Sequence, residues 1–233
     1  MTNNIKAVIL AAGEGSRLGL NLPKILLEIK EGTTLLEYHL RGLKKIGIKE
    51  VVIVGGYKYN LIQEIISARN LDKQYRLSLV CVDWKGKGNG NGLYQARHKI
   101  KGKFLVMMGD LFIDYDLLKN LLLQKPLTIV VDSQPRNEIK ENTTKVKIKE
   151  GKIIQIKKGN LPEFEAIEFG IALADERIFQ FEITPQSDWI DIVAQAIEKE
   201  DVFSFDVRGA FWKNINYKTD LEEVKRYLNE NNS

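Results

Sequence analysis

Ten residues near the start of the chain carry its densest chemical signal: Leu10, Ala11, Ala12, Gly13, Glu14, Gly15, Ser16, Arg17, Leu18 and Gly19. Successive backbone N–H groups freed of side chains can wrap an anionic triphosphate, and the small alanines leave room for a nucleotide. Arg17, and Lys24 behind Pro23, add positive charge. The spacing is not the dinucleotide fingerprint, because Leu18 stands where that motif needs a third small residue, and no Gly-Lys-Ser/Thr phosphate loop occurs. Read without chemistry, the stretch is a tight strand-to-helix turn with two surface cations. Against that plainer reading stand its place after the first predicted strand, the Pro23-Lys24 pair, and Asp110 at the end of a later strand.

These residues need a frame. Apart from Lys6, residues 5–12 are apolar up to Gly13, as in a strand buried on both faces of a parallel sheet. Leu36, Leu40 and Leu43 repeat at helical spacing after Thr33 and Thr34, which can cap, and Gly47 ends that helix before a second buried-strand run at 50–54. The alternation continues with a helix near 61–68, a strand at 77–82, a helix near 93–99 and a strand at 103–108 that ends in Gly109-Asp110. Repeated βα units predict an α/β fold, a doubly wound, mostly parallel mixed sheet with ligands outside the carboxyl ends of its strands. After 127–131 the pattern changes, and 145–149, Glu150-Gly151 and 153–157 read as a polar-faced β-hairpin. The expectation is one domain over 1–233 with a small β-hairpin substrate lobe inserted at about 133–165. Helices near 189–198 and 219–228 close the chain around a strand at 202–207.

The 233 residues are 44% hydrophobic and 28% charged, too apolar for a disordered chain and enough for a full core without staples. The single cysteine, Cys81, lies in the apolar run 77–83 and is expected as a small core hydrophobe in a reducing compartment. The net charge of +4 is scattered, which suits phosphorylated small molecules and does not indicate nucleic acid. No apolar stretch approaches the roughly 18 residues of a membrane span, and residues 1–4 lack a signal-peptide charge pattern. A cytoplasmic location without stable membrane insertion is expected.

Residues 10–19 with Pro23-Lys24 resemble the signature of the sugar-phosphate and alcohol-phosphate nucleotidyltransferases. Met108-Gly109-Asp110 is similar to that family's metal-binding aspartate and Glu168-Phe169-Gly170 to its substrate strand. Residues 211–216 with Asp220-Leu221 are similar to its terminal Trp-x-Asp-Val-Asp-Thr-x-x-Asp-Leu element, so the likeness covers nearly the whole chain. Lys87-Gly88-Asn89-Gly90 before a helix, and the short gap from Arg17 to Pro23, are most similar to the inositol-1-phosphate cytidylyltransferases. The resemblance implies a Rossmann-like nucleotidyltransferase fold.

It also implies a reaction: a substrate phosphate oxygen attacks the α-phosphorus of a nucleotide, and pyrophosphate leaves in line on the opposite side. A phosphomonoester is largely dianionic at pH 7, with a second pKa of about 6, so the nucleophile needs no general base. The site must instead overcome repulsion between anions and stabilise transition-state charge. The resemblance gives Lys24 the α-phosphate region, Arg17 the β- and γ-phosphates, and Gly13, Gly15 and Ser16 the surrounding amides. It gives Asp110 to Mg²⁺, the expected cofactor. The family's second ligand is the last aspartate of the terminal element, and Asn216 stands there, an oxygen donor without charge. One carboxylate, one amide oxygen, water and phosphates still satisfy an octahedral ion that arrives with its nucleotide.

Nucleotide contacts are further expected from Leu10, Ala11, Ala12 and Glu14, from Gly55 in the turn 54–57, and from Gly88, Asn89 and Gly90. Asn89 is the candidate partner for a pyrimidine. Turn geometry is nearly as good an account of Gly55 and Gly56, and Asn91 reads as a helix cap. Glu168 is expected to bind substrate hydroxyls and Gly170 to leave room for the ring, although Glu168 also reads as a solvent-facing strand residue. Trp189, Asp188 and Trp212 are weaker candidates, Trp212 as packing behind Asn214 and Asn216. His39 and His98 fall on predicted helices, in surface or core roles. The expected partners are CTP and a phosphorylated polyol, inositol 1-phosphate, yielding a CDP-alcohol. Alternatives are a sugar-1-phosphate or phosphocholine nucleotidyltransferase using UTP, dTTP or CTP, and a non-catalytic nucleotide-binding regulator. A metal-dependent glycosyltransferase would carry Asp-x-Asp where Asp110-Leu111-Phe112 stands.

Overall fold

The computed structural model describes residues 5–136 and 139–231. The first apolar run forms β1 (Lys6–Ala11), with Ala7, Val8 and Ile9 fully buried. A short hairpin, β2 (Glu28–Lys30) and β3 (Thr33–Thr34), enters α1 (Leu35–Lys45). Thr34 caps that helix: its hydroxyl accepts the Glu37 N–H at 3.3 Å, and Glu37 Oε2 accepts the Thr34 N–H at 2.9 Å. The alternating half continues through β4 (Glu50–Gly55), α2 (Tyr59–Ala68), α3 (Leu71–Gln74), β5 (Arg76–Cys81), α4 (Asn89–Gln95) and β6 (Lys103–Met108). β1 lies parallel to both β4 and β6, and β5 is parallel to β4.

The second half holds β7 (Leu111–Ile113), β8 (Thr128–Asp132), β9 (Thr144–Lys149), β10 (Lys152–Lys158), β11 (Ala166–Asp175), α5 (Trp189–Ile197), β12 (Phe203–Asp206), β13 (Trp212–Asn214) and α6 (Lys218–Glu230). The doubly wound mixed sheet forms as expected, in the order β5-β4-β1-β6-β11-β8-β12-β10-β9. β11 runs antiparallel between β6 and β8 and joins the halves. The β9–β10 hairpin turns through Glu150 and Gly151, both at positive φ (51° and 76°), which suits a two-residue loop between twisted strands. The hairpin is continuous with the main sheet, since β9 also pairs with β11 and β10 meets β12.

Strand alternation sends successive side chains to opposite cores. Ile9, Ile53 and Met107 join Leu36, Leu40 and Ile62 under α1 and α2, while Val8, Val52 and Val106 join Leu93, Trp189 and Val193 under α4 and α5. The same alternation corrects the expectation for Cys81. Val80 and Val82 turn inward, whereas Cys81 is exposed on β5, an edge strand. The helix expected near 93–99 begins at Asn89, which puts Asn91 inside it instead of at its cap. The cause is tertiary. The 88–90 backbone nests against 186–188, where a Cβ on Gly88 would lie 2.2 Å from the Ser187 carbonyl oxygen.

Candidate active site

Gly109 ends β6 because nothing larger fits: its N–H donates to the Leu10 carbonyl at 2.8 Å, and a Cβ would lie 2.8 Å from that of Ala11. Asp110 is thereby set beside the start of the glycine loop. Antiparallel pairing of β7 with β13 then carries the C-terminal segment to the same place, and the Ile215 N–H donates to the Asp110 carbonyl at 2.8 Å. Asp220, at the start of α6, accepts the N–H groups of Asn216 and Tyr217, each at 2.8 Å, and so fixes Asn216. Across from this pair comes Lys24, whose Nζ lies 2.7 Å from Asp110 Oδ2 and 2.8 Å from Asn216 Oδ1. Gly15 is required twice over, by a φ of 65° and because a Cβ would lie 2.6 Å from Lys24 Cγ.

A hollow of about 770 Å³ opens here, within the range of small-ligand sites. Of the residues expected from the sequence, Arg17, Asn89, Asp110, Glu168, Gly170 and Asn216 line it. Lys24 reaches it through Asp110 and Asn216. Gly13, Glu14 and Ser16 are exposed in the loop that leads to Arg17. Leu10, Ala11 and Ala12 are partly or largely covered, and the Ala12 carbonyl accepts the Tyr57 N–H at 2.9 Å. Gly55, Gly88 and Gly90 do not line the hollow; each is demanded by packing, against Tyr59, Ser187 and Asp188 respectively.

Glu168 faces the hollow's wall but is only 7% exposed, so the solvent-facing alternative fails. Burial lifts its pKa to about 7, against the Gly170 N–H, which donates to Oε1 at 2.7 Å and pulls it down. Gly170 has a φ of 104°, and its missing Cβ makes room for Met108, whose Cγ would be 2.4 Å away. The space expected for a substrate ring at that position is therefore filled by a side chain of β6. Asn89 is mostly committed: Oδ1 accepts the Trp189 N–H at 2.6 Å, and among the described residues Nδ2 meets only the Met108 sulfur, at 3.5 Å.

Asp132 and three basic side chains, none of them marked as functional by the sequence, also shape the site. Asp132, fully buried at the end of β8, accepts from Trp212 Nε1 at 2.8 Å and from the Gly209 N–H at 2.7 Å. Trp212 in turn stacks on Phe169 at 4.2 Å, steadying the strand that carries Glu168. Arg136, Lys140 and Lys158 add cations to the wall from the segment expected as a lobe, where the run of lysines was the available signal. Trp189 and Asn214 line the hollow with Nε1 and Oδ1 lacking hydrogen-bond partners among the described residues. Beneath the Asp110 turn, His39 is fully buried between the Tyr115 hydroxyl and the Gly109 carbonyl, and burial lowers its pKa to about 4.

Residues 7–139, more than half of the chain, match the family model described as the MobA-like NTP transferase domain. The chain belongs to this nucleotidyltransferase family. Among curated relatives of this NTP transferase domain, the bifunctional IPC transferase and DIPP synthase of Aquifex aeolicus is 31% identical over 226 residues, covering 95% of this chain and 51% of that protein. The protein of the same description from Thermococcus kodakarensis is 29% identical over 228 residues, covering 96% and 50%. The chain thus spans about half the length of the curated relatives it matches. Among solved structures, the inositol-1-phosphate CTP transferase from T. maritima superposes with a TM-score of 0.83 over 100% of both chains at 20% identity. The CTP:phosphocholine cytidylyltransferase of Streptococcus pneumoniae does so at 0.74, over 97% of this chain and 100% of that one, at 24% identity. At these identities the superpositions establish the NTP transferase fold. No helix among the described residues is long and apolar enough to cross a membrane.

Proposed function

We propose that this chain transfers a cytidylyl group from CTP to a phosphorylated alcohol, inositol 1-phosphate, releasing pyrophosphate and a CDP-alcohol, in the cytoplasm. The observation that carries the reading is the meeting of Lys24, Asp110 and Asn216 within 2.8 Å, at a hollow that Arg17 also lines. Two anions cannot approach without countercharge. A unit-charge pair at 4 Å is worth about 4 kcal/mol at an effective dielectric near 20. Asp110 offers the Lys24 ammonium one such partner, whereas a triphosphate offers several, so arriving nucleotide draws the ammonium from the carboxylate to the α-phosphate region. Arg17 takes the outer phosphates, and the loop amides from Gly13, Gly15 and Ser16 complete the cradle.

The donors present fit a divalent ion. Asp110 Oδ2 and Asn216 Oδ1 already converge on one cationic group, the ammonium. No group of three or more His, Cys, Asp or Glu side chains is arranged to hold a metal among the described residues, which suits an ion that completes its shell from phosphate and water. Asp110 and Asn216 would hold Mg²⁺, which when bound withdraws charge from phosphoryl oxygens. The acceptor end is supported by Glu168, a hydrogen-bonding carboxyl on the wall of the hollow. An uncharged polyol is held by hydrogen bonds of that kind. Pyrophosphate release, measured for CTP, UTP, dTTP and GTP against inositol 1-phosphate, glucose 1-phosphate and phosphocholine, tests the assignment. Turnover confined to CTP with inositol 1-phosphate is expected; turnover with UTP and glucose 1-phosphate but not CTP overturns it.

A further inference from the structure

We propose that His39 is a positioning residue for Asp110 and that Tyr115 sets the tautomer in which it works; the proposal rests on the role given to Asp110 above. His39 sits on α1 among Leu35, Leu36, Leu40 and Leu43, all fully buried and apolar. An imidazole in such a place is costly unless its nitrogens are paired. Nε2 lies 3.4 Å from the Gly109 carbonyl oxygen and Nδ1 lies 2.7 Å from the Tyr115 hydroxyl. A carbonyl oxygen only accepts, so Nε2 carries the hydrogen and donates to it; Nδ1 is then bare and accepts the Tyr115 O–H at 2.7 Å, a stronger acceptor for that hydroxyl than the Met107 sulfur at 3.4 Å. Tyr115 cannot swing aside, because it is 2% exposed and its ring is pressed to the α1 backbone, where a Cβ on Gly42 would lie 2.0 Å from Cδ2.

The Gly109 residue is therefore held at both ends, its N–H by Leu10 at 2.8 Å and its carbonyl by His39. Asp110 is next in the chain, with its own carbonyl tied to the Ile215 N–H at 2.8 Å. Rotation of the 109–110 peptide is the motion that would swing the carboxylate away from Asn216 and Lys24. The His39 bond is the restraint on that peptide that comes from a side chain. Partners that hold a ligating group in orientation are commonly worth 10–100-fold in metal affinity or activity.

The chain has two histidines, and His98 is exposed, so His98→Gln leaves one imidazole for ¹⁵N–¹H NMR. The spectrum is expected to show the Nε2–H tautomer; the Nδ1–H tautomer overturns the proposal. His39→Leu is expected to lower kcat/KM for nucleotidyl transfer by roughly 10–100-fold and to raise the Mg²⁺ half-saturation at fixed CTP. His39→Gln, which retains an N–H donor at that reach, should recover most of both at a similar melting temperature. Losses in both variants that follow melting temperature alone, with Mg²⁺ half-saturation unmoved, overturn it. Should His39→Leu not fold, Tyr115→Phe keeps the ring packing and must turn the single tautomer into a mixture; an unchanged spectrum counts against the proposal. If the wild type transfers nothing to any acceptor, the functional reading fails separately. Positioning is then read from Mn²⁺ relaxation of water with CTP present, which His39→Leu must weaken relative to His39→Gln, and equal binding overturns it.

Discussion

β1 ends in a turn whose work is done by backbone and by cations a few residues away, in the run from Gly13 to Lys24, and β6 ends beside Asp110. β8 ends in Asp132, which is held by Trp212 at the start of β13, and Trp212 stacks in turn on Phe169 within β11. The parallel half can meet phosphate because amides and fixed charges bind any phosphate. In the proposed reaction the antiparallel half discriminates hydroxyl groups with polar groups such as the buried Glu168, and such groups cost stability until they are paired. In that proposed reaction one half neutralises and the other recognises.

Removing the central cation gives the largest effect and probes the neutralising half. Lys24→Met keeps the stem that passes over Gly15 and deletes the ammonium. The expected fall in kcat is roughly 10²–10³, the scale of one lost preorganised charge-stabilising donor. Acceptor KM should change far less, and unfolding in urea should show an intact fold. Pyrophosphate release at saturating CTP measures it. A Lys24→Met enzyme with ordinary kcat would take the neutralising role away from this half altogether.

Glu168 sharpens the contrast from the recognising half. Its folded pKa is raised from 4.5 to about 7, chiefly by burial. Below pH 4.5 the group is protonated in both folded and unfolded chains, and its contribution to stability is complete. Between there and about pH 7 the unfolded chain releases the proton while the folded chain keeps it, so stability falls with rising pH and then levels off. Glu168→Gln removes this slope while Oε1 can still accept the Gly170 N–H. Urea unfolding at pH 5 and pH 8 should show the variant gaining about 2.5 kcal/mol relative to wild type across that interval. A pH-independent difference would mean that the carboxyl ionises in the folded chain as it does in the unfolded one and that burial does not hold it neutral.

The two halves also differ in how much of them was legible. The βα alternation, the loop from Leu10 to Arg17, Lys24 and Asp110 are local patterns, and residues a few positions apart carry them. The acceptor wall depends on contacts between residues far apart: Asn89 meets Trp189 at a separation of 100 residues, and Trp212 meets Asp132 at 80. Nothing within a short window marks Asp132 as the acceptor for an indole. Gly170 was legible as a position that must be glycine, yet the reason lies in Met108 on a neighbouring strand. Cys81 misled for a similar reason, since an apolar strand run does not reveal whether its sheet continues on one side or both.

Cys81 offers the smallest effect and a test of where the neutralising half ends. Among the described residues β5 pairs with β4 alone, and Cys81 faces solvent beside the inward-facing Val80 and Val82. A Cys81→Ser change there removes no packing and strands no donor, so the unfolding free energy should move by no more than about 0.5 kcal/mol, with kcat unchanged. In the native protein the thiol should react with a disulfide reagent without prior unfolding. A thiol that reacts only after denaturation, with a cooperative loss of stability in the serine variant, would mean that another surface covers β5 in solution. The parallel half would then extend beyond the edge at which this chain's own strands stop.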